Sequence, residues 1–222
     1  MIKAVLFDFG GVVTTSPFEA FAAYEARVGL PVDFIRRVNS TDPDTNAWAR
    51  LERSEVTMAE FSSEFARESA ALGHEVDGSE VLGLLYGDVR PEMLVAVRRC
   101  AEHLRVACLT NNFGPTPQAN GTDGADGADE SANPAERPDV ADAMALFDEV
   151  IESRVLGVRK PDPRFYELAC AQVGIEPSEA VFLDDLGINL KTARAMGMTT
   201  IKVTDSQTAL AELEQVVGFS LS

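Results

Sequence analysis

The sequence predicts an α/β fold: a doubly wound parallel sheet with a helical bundle inserted after its first strand. Three observations predict it. Short, wholly apolar runs alternate with amphipathic stretches, the pattern of strands buried on both faces and joined by helices. One block, residues 17–87, breaks the alternation and reads as helical throughout. Asp8, Thr110 and Asp184–Asp185 stand at the ends of three of the apolar runs. In such a sheet, ligands gather at the carboxyl ends of the strands.

The predicted strands are residues 3–8 (KAVLFD), 105–109 (RVACL), 180–183 (AVFL) and 199–203 (TTIKV). Between them lie three helical patterns. "PEMLVAVRRCAEHL" starts at Pro91 and turns Met93, Leu94, Val97 and Leu104 to one side. "DPRFYELACAQVG" has Asp162 as N-cap, Pro163 at the first helical position and Gly174 as C-cap. "GINLKTARAMG" runs from Gly187 to a stop at Gly197. Within the helical block, "FEAFAAYEARVG" lines up Phe18, Phe21, Tyr24 and Val28 at helical spacing. "TMAEFSSEFARESAALG" opens with a capping box, Thr57 and Glu60, and buries Phe61, Phe65 and Leu72. These aromatic rows read as bundle core. The expected organisation is a Rossmann-like core of residues 1–16 and 88–222 with a cap of residues 17–87. Inside the core, residues 114–138 form a low-complexity acidic loop, rich in Gly, Ala, Asp and Pro and without periodicity. Its Asp123, Asp126 and Asp129 lack the spacing of an EF-hand loop.

Charge narrows the function. The 222 residues carry 19 basic and 36 acidic side chains, a formal net charge of -17. Nucleic acid and anionic membrane surfaces are poor partners for such a chain. An anionic ligand would need a local device, such as a metal ion, a lysine or backbone N–H groups. Cys100, Cys108 and Cys170 are odd in number and far apart, so they read as reduced, buried thiols. No apolar run approaches the roughly 18 residues of a membrane span, and the first strand begins by about Lys3 with no leader before it. A cytoplasmic protein is expected, monomer or homodimer. His74 and His103 lie outside the motifs and read as surface or packing residues; Trp48 and Arg50 read as a packing indole and a solvated guanidinium.

Four pieces carry the chemistry: Asp8, Thr110–Asn111, Lys160 in "RKPDP", and Asp184–Asp185 in "VFLDDLGIN". Alone, each is ordinary turn, cap or surface chemistry. Converging at one sheet edge, three carboxylates repel one another and become tolerable around a divalent cation. Oxygen ligands of this kind suit magnesium. The Thr110 hydroxyl, the Asn111 N–H and the Lys160 ammonium could then hold a phosphate, and one carboxylate could attack phosphorus.

On these residues the chain resembles the haloacid dehalogenase (HAD) superfamily. "VLFDFGGVV" is similar to its first motif, "LTNN" to the second, "RKPDPRFYELA" to the third and "VFLDDLGINLKTARAMGM" to the fourth. The helical insert lies where the C1-type cap of the family lies. The resemblance implies a magnesium-dependent phosphohydrolase acting through an aspartyl-phosphate on a small phosphorylated metabolite. It implies Asp8 as nucleophile, and Asp8, Asp185 and the Gly10 carbonyl as metal ligands. Asp184 would be a ligand through water or a partner of the ligands. Thr110, Asn111 and Lys160 would bind the phosphate, with Thr110 and Lys160 also serving the reaction.

One residue departs from that pattern. Most phosphatases of the family carry a second aspartate where this chain has Gly10, as acid for the leaving group and base for water. Loss of such help typically costs ~10²–10⁴ in rate, and the hydroxyls of Thr14, Thr15 and Ser16 are poor acids. The departure favours a phosphate with a good leaving group. It also leaves open a weakly active or non-catalytic domain that binds phosphorylated ligands or partners, and a metal-free 2-haloacid dehalogenase. The adjacent carboxylates of "LDDLG" count against the dehalogenase.

Overall fold

A computed structural model describes residues 1–85, 87–112 and 137–221. Five parallel strands form its sheet: β1 (Ala4–Phe7), β2 (Arg105–Thr110), β3 (Glu149–Glu152), β4 (Ala180–Asp184) and β5 (Thr199–Lys202), in the order β3-β2-β1-β4-β5. β1 lies at the centre because every one of its residues is apolar and buried. Val5 pairs with Val106 on one side and Val181 on the other; Phe7 pairs with Cys108 and Leu183.

Alternate residues of the strands feed two separate cores, as the period of two requires. Val5, Phe7, Val106, Val181 and Ile201 face one layer, with α6 (Pro91–Ala101) and α11 (Ser206–Val217). Ala4, Leu6, Ala107, Leu109 and Phe182 face the other, with α9 (Pro163–Val173) and α10 (Gly187–Ala195). Each fully buried large apolar side chain is worth about 1.5–3 kcal/mol. All three cysteines are buried in these layers as free thiols, and burial pushes Cys100 up to about 12 and Cys170 up to about 11.

Between β1 and β2 the chain forms α1 (Pro17–Val28), α2 (Phe34–Ser40), α3 (Ala47–Glu52), α4 (Met58–Ala71) and α5 (Gly78–Gly83). Phe21, Phe34, Ile35, Phe61 and Phe65 pack into a third core among them. The capping box of Thr57 and Glu60 is present at the start of α4. α7 (Pro138–Met144) and the single turn α8 (Ser153–Leu156) flank β3. Among the described residues, no helix is long and apolar enough to cross a membrane.

Several details differ from the sequence-based expectation. β3 was not foreseen: in "EVIE" two acids bracket two apolar residues, and only Ile151 is fully buried, as befits an edge strand. Val28 is 47% exposed because α1 ends against solvent there, and Leu72 is half-buried at the end of α4. Pro138 opens α7 rather than closing the acidic loop, its fixed φ suiting a first helical position. The rest of the expected acidic loop, residues 114–136, lies outside the described residues.

The chain steps outward from β1 through β2 to β3, then returns across β1 to β4. That reversal opens a crevice beyond the carboxyl ends of β1 and β4.

Candidate active site

Asp8 follows β1 directly, its N–H still donating to the Leu183 carbonyl at 2.8 Å. Its Oδ1 accepts the Phe9 N–H at 2.7 Å. The chain then turns sharply through Gly10 and Gly11. Gly11 has φ of +78°, and a Cβ there would stand 2.4 Å from the Asp185 Oδ2. Glycine is therefore required at position 11 on both counts. Gly10 differs: its φ of -67° and ψ of 128° suit any residue, and a Cβ there would meet nothing within 4 Å.

Asp184 ends β4 and is completely buried. Its Oδ1 accepts the Leu186 N–H at 2.8 Å and the Asn189 side-chain amide at 3.1 Å. Its Oδ2 accepts the same amide at 3.0 Å and the Lys160 ammonium at 2.9 Å. Asn189 sits in α10, and the Tyr166 hydroxyl of α9 donates to its carbonyl at 3.0 Å. The third- and fourth-motif helices are thus tied together directly behind Asp184.

Lys160 is 1% exposed. Its ammonium reaches Asp8 Oδ2 at 2.8 Å, Asp184 Oδ2 at 2.9 Å and the Leu109 carbonyl at 2.8 Å. Burial works against that charge, but Asp184 and Asp8 outweigh it and hold the lysine protonated. Asp8 titrates well above the usual carboxylate range: burial raises it most, Lys160 opposes, and Asp184 and Asp185 add to the rise. Asp185 is pushed up to about 6, by burial first and Asp184 next, with Lys160 opposing.

Asp8, Asp184 and Asp185 each place a carboxylate oxygen within 4.8 Å of the others. Three carboxylates against one ammonium leave two negative charges when all four are ionised, which a divalent cation would balance. The donors are hard oxygens, of the kind magnesium takes. The residues present fit such an ion.

Thr110, Asn111 and Gly10 line the same cavity as Asp8, Lys160 and Asp185, a space of about 1160 Å³. Asn111 does more than the sequence suggested. Its side-chain amide donates to the Lys160 carbonyl at 3.0 Å and accepts the Lys160 N–H at 2.9 Å. Ser153 steadies the next residue: its hydroxyl accepts the Asn112 N–H at 3.0 Å and donates to the Asn112 carbonyl at 3.1 Å.

Of the two bundle residues considered, Trp48 lines the cavity and Arg50 turns aside to pair with Glu64 at 2.6 Å. His74 packs edge-on against Phe34, and His103 packs at a tilt against Phe219. Sequence reasoning passed over Gly11, Asn189, Glu52 and Arg159. The Gly-Gly doublet signalled the first; nothing in the short run "WARLE", which also carries Arg50, marked Glu52.

The comparisons with known proteins agree with this geometry. The model of the haloacid dehalogenase-like hydrolase family matches residues 2–197. Acyl-CoA dehydrogenase family member 10 of Mus musculus is 35% identical over 99% of this chain and 19% of its own length. Bifunctional epoxide hydrolase 2 of Sus scrofa is 30% identical over 99% of this chain and 40% of its own length. The chain therefore spans well under half of either relative. Sesquiterpene phosphatase astK of Aspergillus oryzae is 27% identical, over 97% of both chains. A HAD family enzyme of Bacteroides thetaiotaomicron, solved with magnesium and inorganic phosphate, superposes with a TM-score of 0.57 at 21% identity, over 91% of this chain and 94% of that one. With the acidic cluster at the switch point of a parallel sheet and a family match across nearly the whole length, the chain belongs to the haloacid dehalogenase-like hydrolases.

Proposed function

We propose that this protein is a magnesium-dependent phosphohydrolase in which Asp8 is the nucleophile. The observation that carries the reading is the convergence of Asp8, Asp184 and Asp185 within 4.8 Å around Lys160, at the floor of a cavity large enough for an organic phosphate. Asp8, Asp185 and the Gly10 carbonyl would hold the ion, which when bound draws the phosphate in and offsets its charge. Asp184 has both oxygens engaged by Lys160, Leu186 and Asn189, which supports a role in orienting the ligands rather than in direct binding.

A carboxylate oxygen of Asp8 attacks phosphorus in line, a P–O bond forms, and the bond to the leaving oxygen breaks. The leaving group departs with the electron pair. Water then cleaves the acyl phosphate, releasing orthophosphate and restoring the carboxylate. Lys160 neutralises charge on Asp8 and on the transferred group throughout. Without an acid at position 10, leaving groups that need little protonation turn over fastest.

The cavity also bears on the substrate. Phe18, Phe21, Trp48, Met144, Val150 and Ile188 line it, an apolar wall larger than a phosphate alone would use. A phosphate ester with an apolar body fits this wall, and the likeness to a sesquiterpene phosphatase supports the same reading.

The test is turnover of an aryl phosphate with magnesium present. We expect activity that EDTA abolishes and that Asp8→Asn lowers at least ~10³-fold with the fold intact by circular dichroism. No turnover across a broad panel of phosphate esters would favour a phospho-ligand binding domain instead. Halide release from a 2-haloacid without metal would favour a dehalogenase.

A further inference from the structure

The cavity wall holds a second charged cluster that phosphoryl transfer itself does not employ. Glu52, the last residue of α3, is only 7% exposed although it is charged and lies in the inserted bundle. Its Oε2 accepts the Arg159 guanidinium at 2.5 Å and the Asn111 amide at 3.5 Å. Its Oε1 accepts the Trp48 indole N–H at 3.0 Å. The other terminal nitrogen of Arg159 donates to the Pro43 carbonyl, so the guanidinium is gripped by the last residue of α3 and by the chain that leads into that helix. Burial raises the Glu52 pKa, with Arg159 as the main opposing influence.

Both core partners of Glu52 bear on one residue. Arg159 is the chain neighbour of Lys160, and the Asn111 amide holds the Lys160 N–H and carbonyl together. Buried ion pairs carry a desolvation penalty that apolar residues of similar volume would avoid. Here the pair joins the bundle to the backbone that carries the Lys160 ammonium. That ammonium must stand within 2.8–2.9 Å of two carboxylates at once. A misplacement of about 1 Å can cost ~10²-fold in rate.

We propose that Glu52 is a positioning residue: through Arg159 and Asn111 it fixes the backbone at Lys160, so that the bundle sets where the ammonium stands between Asp8 and Asp184. The inference rests on the phosphohydrolase reading above for its effect on rate. Its structural half stands without that reading.

The experiment compares the wild type with Glu52→Gln, Arg159→Met, the double variant and Arg50→Met. The last removes another bundle ion pair, to Glu64, that does not touch Lys160. With an aryl phosphate and magnesium, Glu52→Gln should lower kcat about 10- to 100-fold while KM changes less than about threefold. The double variant should lose no more than the worse single one, because the two act as a unit. Arg50→Met should keep kcat within about twofold. In metal-free, lysine-labelled protein, the ¹⁵N signal of the Lys160 ammonium should move in Glu52→Gln and stay in place in Arg50→Met; with four lysines in the chain the spectrum is simple. An unmoved Lys160 signal, or a folded Glu52→Gln with wild-type kcat, overturns the proposal. Wild-type protein without turnover overturns the phosphohydrolase reading instead, and the Lys160 signal still decides the role of Glu52.

Discussion

Two neighbouring glycines do different work beside Asp8. Gly11 is imposed by its left-handed backbone and by Asp185 against its α-carbon, whereas Gly10 has an ordinary backbone and open space. A Cβ at position 10 can therefore enter without a clash. We expect Gly10→Asp to raise kcat on alkyl phosphates about 10- to 100-fold and on aryl phosphates far less, since only the former need a proton on the leaving oxygen. Equal gains on both, or none, would sink the leaving-group argument. Asp8, Lys160, Asp184 and Asp185 were legible in the sequence because strand ends and motif spacing mark them, whereas Glu52 and Arg159 meet only through the packing of the bundle on the core. Gly11 and Asn189 were less so, since their importance lies in contacts to Asp185 and Asp184 from elements whose packing a linear pattern does not contain.

The inserted helices have two duties that the sequence merged into one. The aromatic row of α1 reads as bundle core, and Phe21 does pack into the third core while also lining the cavity. Phe18, one turn earlier, is half-buried, touches that core from its rim and also lines the cavity. Periodicity predicts which face of a helix is apolar but not which part of that face meets a ligand space. We expect Phe18→Ala to raise KM several-fold for a long-chain alkyl phosphate and to leave KM for a small aryl phosphate within about twofold, as steady-state kinetics would reveal. Equal effects on both would remove α1 from the substrate wall. The strands follow the same lesson. The central ones were legible from unbroken apolar runs, while β3 escaped because an edge strand buried on little of its surface needs no such run.

At the scale of the whole molecule, the metal-free fold carries a cost from gathering its acids. Asp185 titrates at about 6 in the folded chain against 3.8 for an ordinary aspartate. Well above pH 6 it is ionised in both states and burial disfavours the folded one; well below pH 3.8 it is protonated in both and the penalty is gone. In EDTA, this group therefore makes the fold more stable as pH falls from 7 toward 4. Asp185→Asn should be more stable than wild type at pH 7.5, by on the order of 2–3 kcal/mol, with most of that gain lost by about pH 4. Urea melts at the two pH values check this; no gain at pH 7.5 would mean the site does not strain the fold.

The position of β1 at the centre of the sheet has a consequence for biosynthesis. This strand is made before the other four, yet one of its two partners, β4, follows it by more than 170 residues. Until β4 docks, the central strand has an unpaired edge, and Asp8 lacks the carboxylates of Asp184 and Asp185 beside it. Pairings between segments so distant in sequence form slowly, and open apolar edges invite association with other chains. A nascent chain cut short of β4 would hold Asp8 without its companion carboxylates and a central strand with one edge open, a species for chaperones.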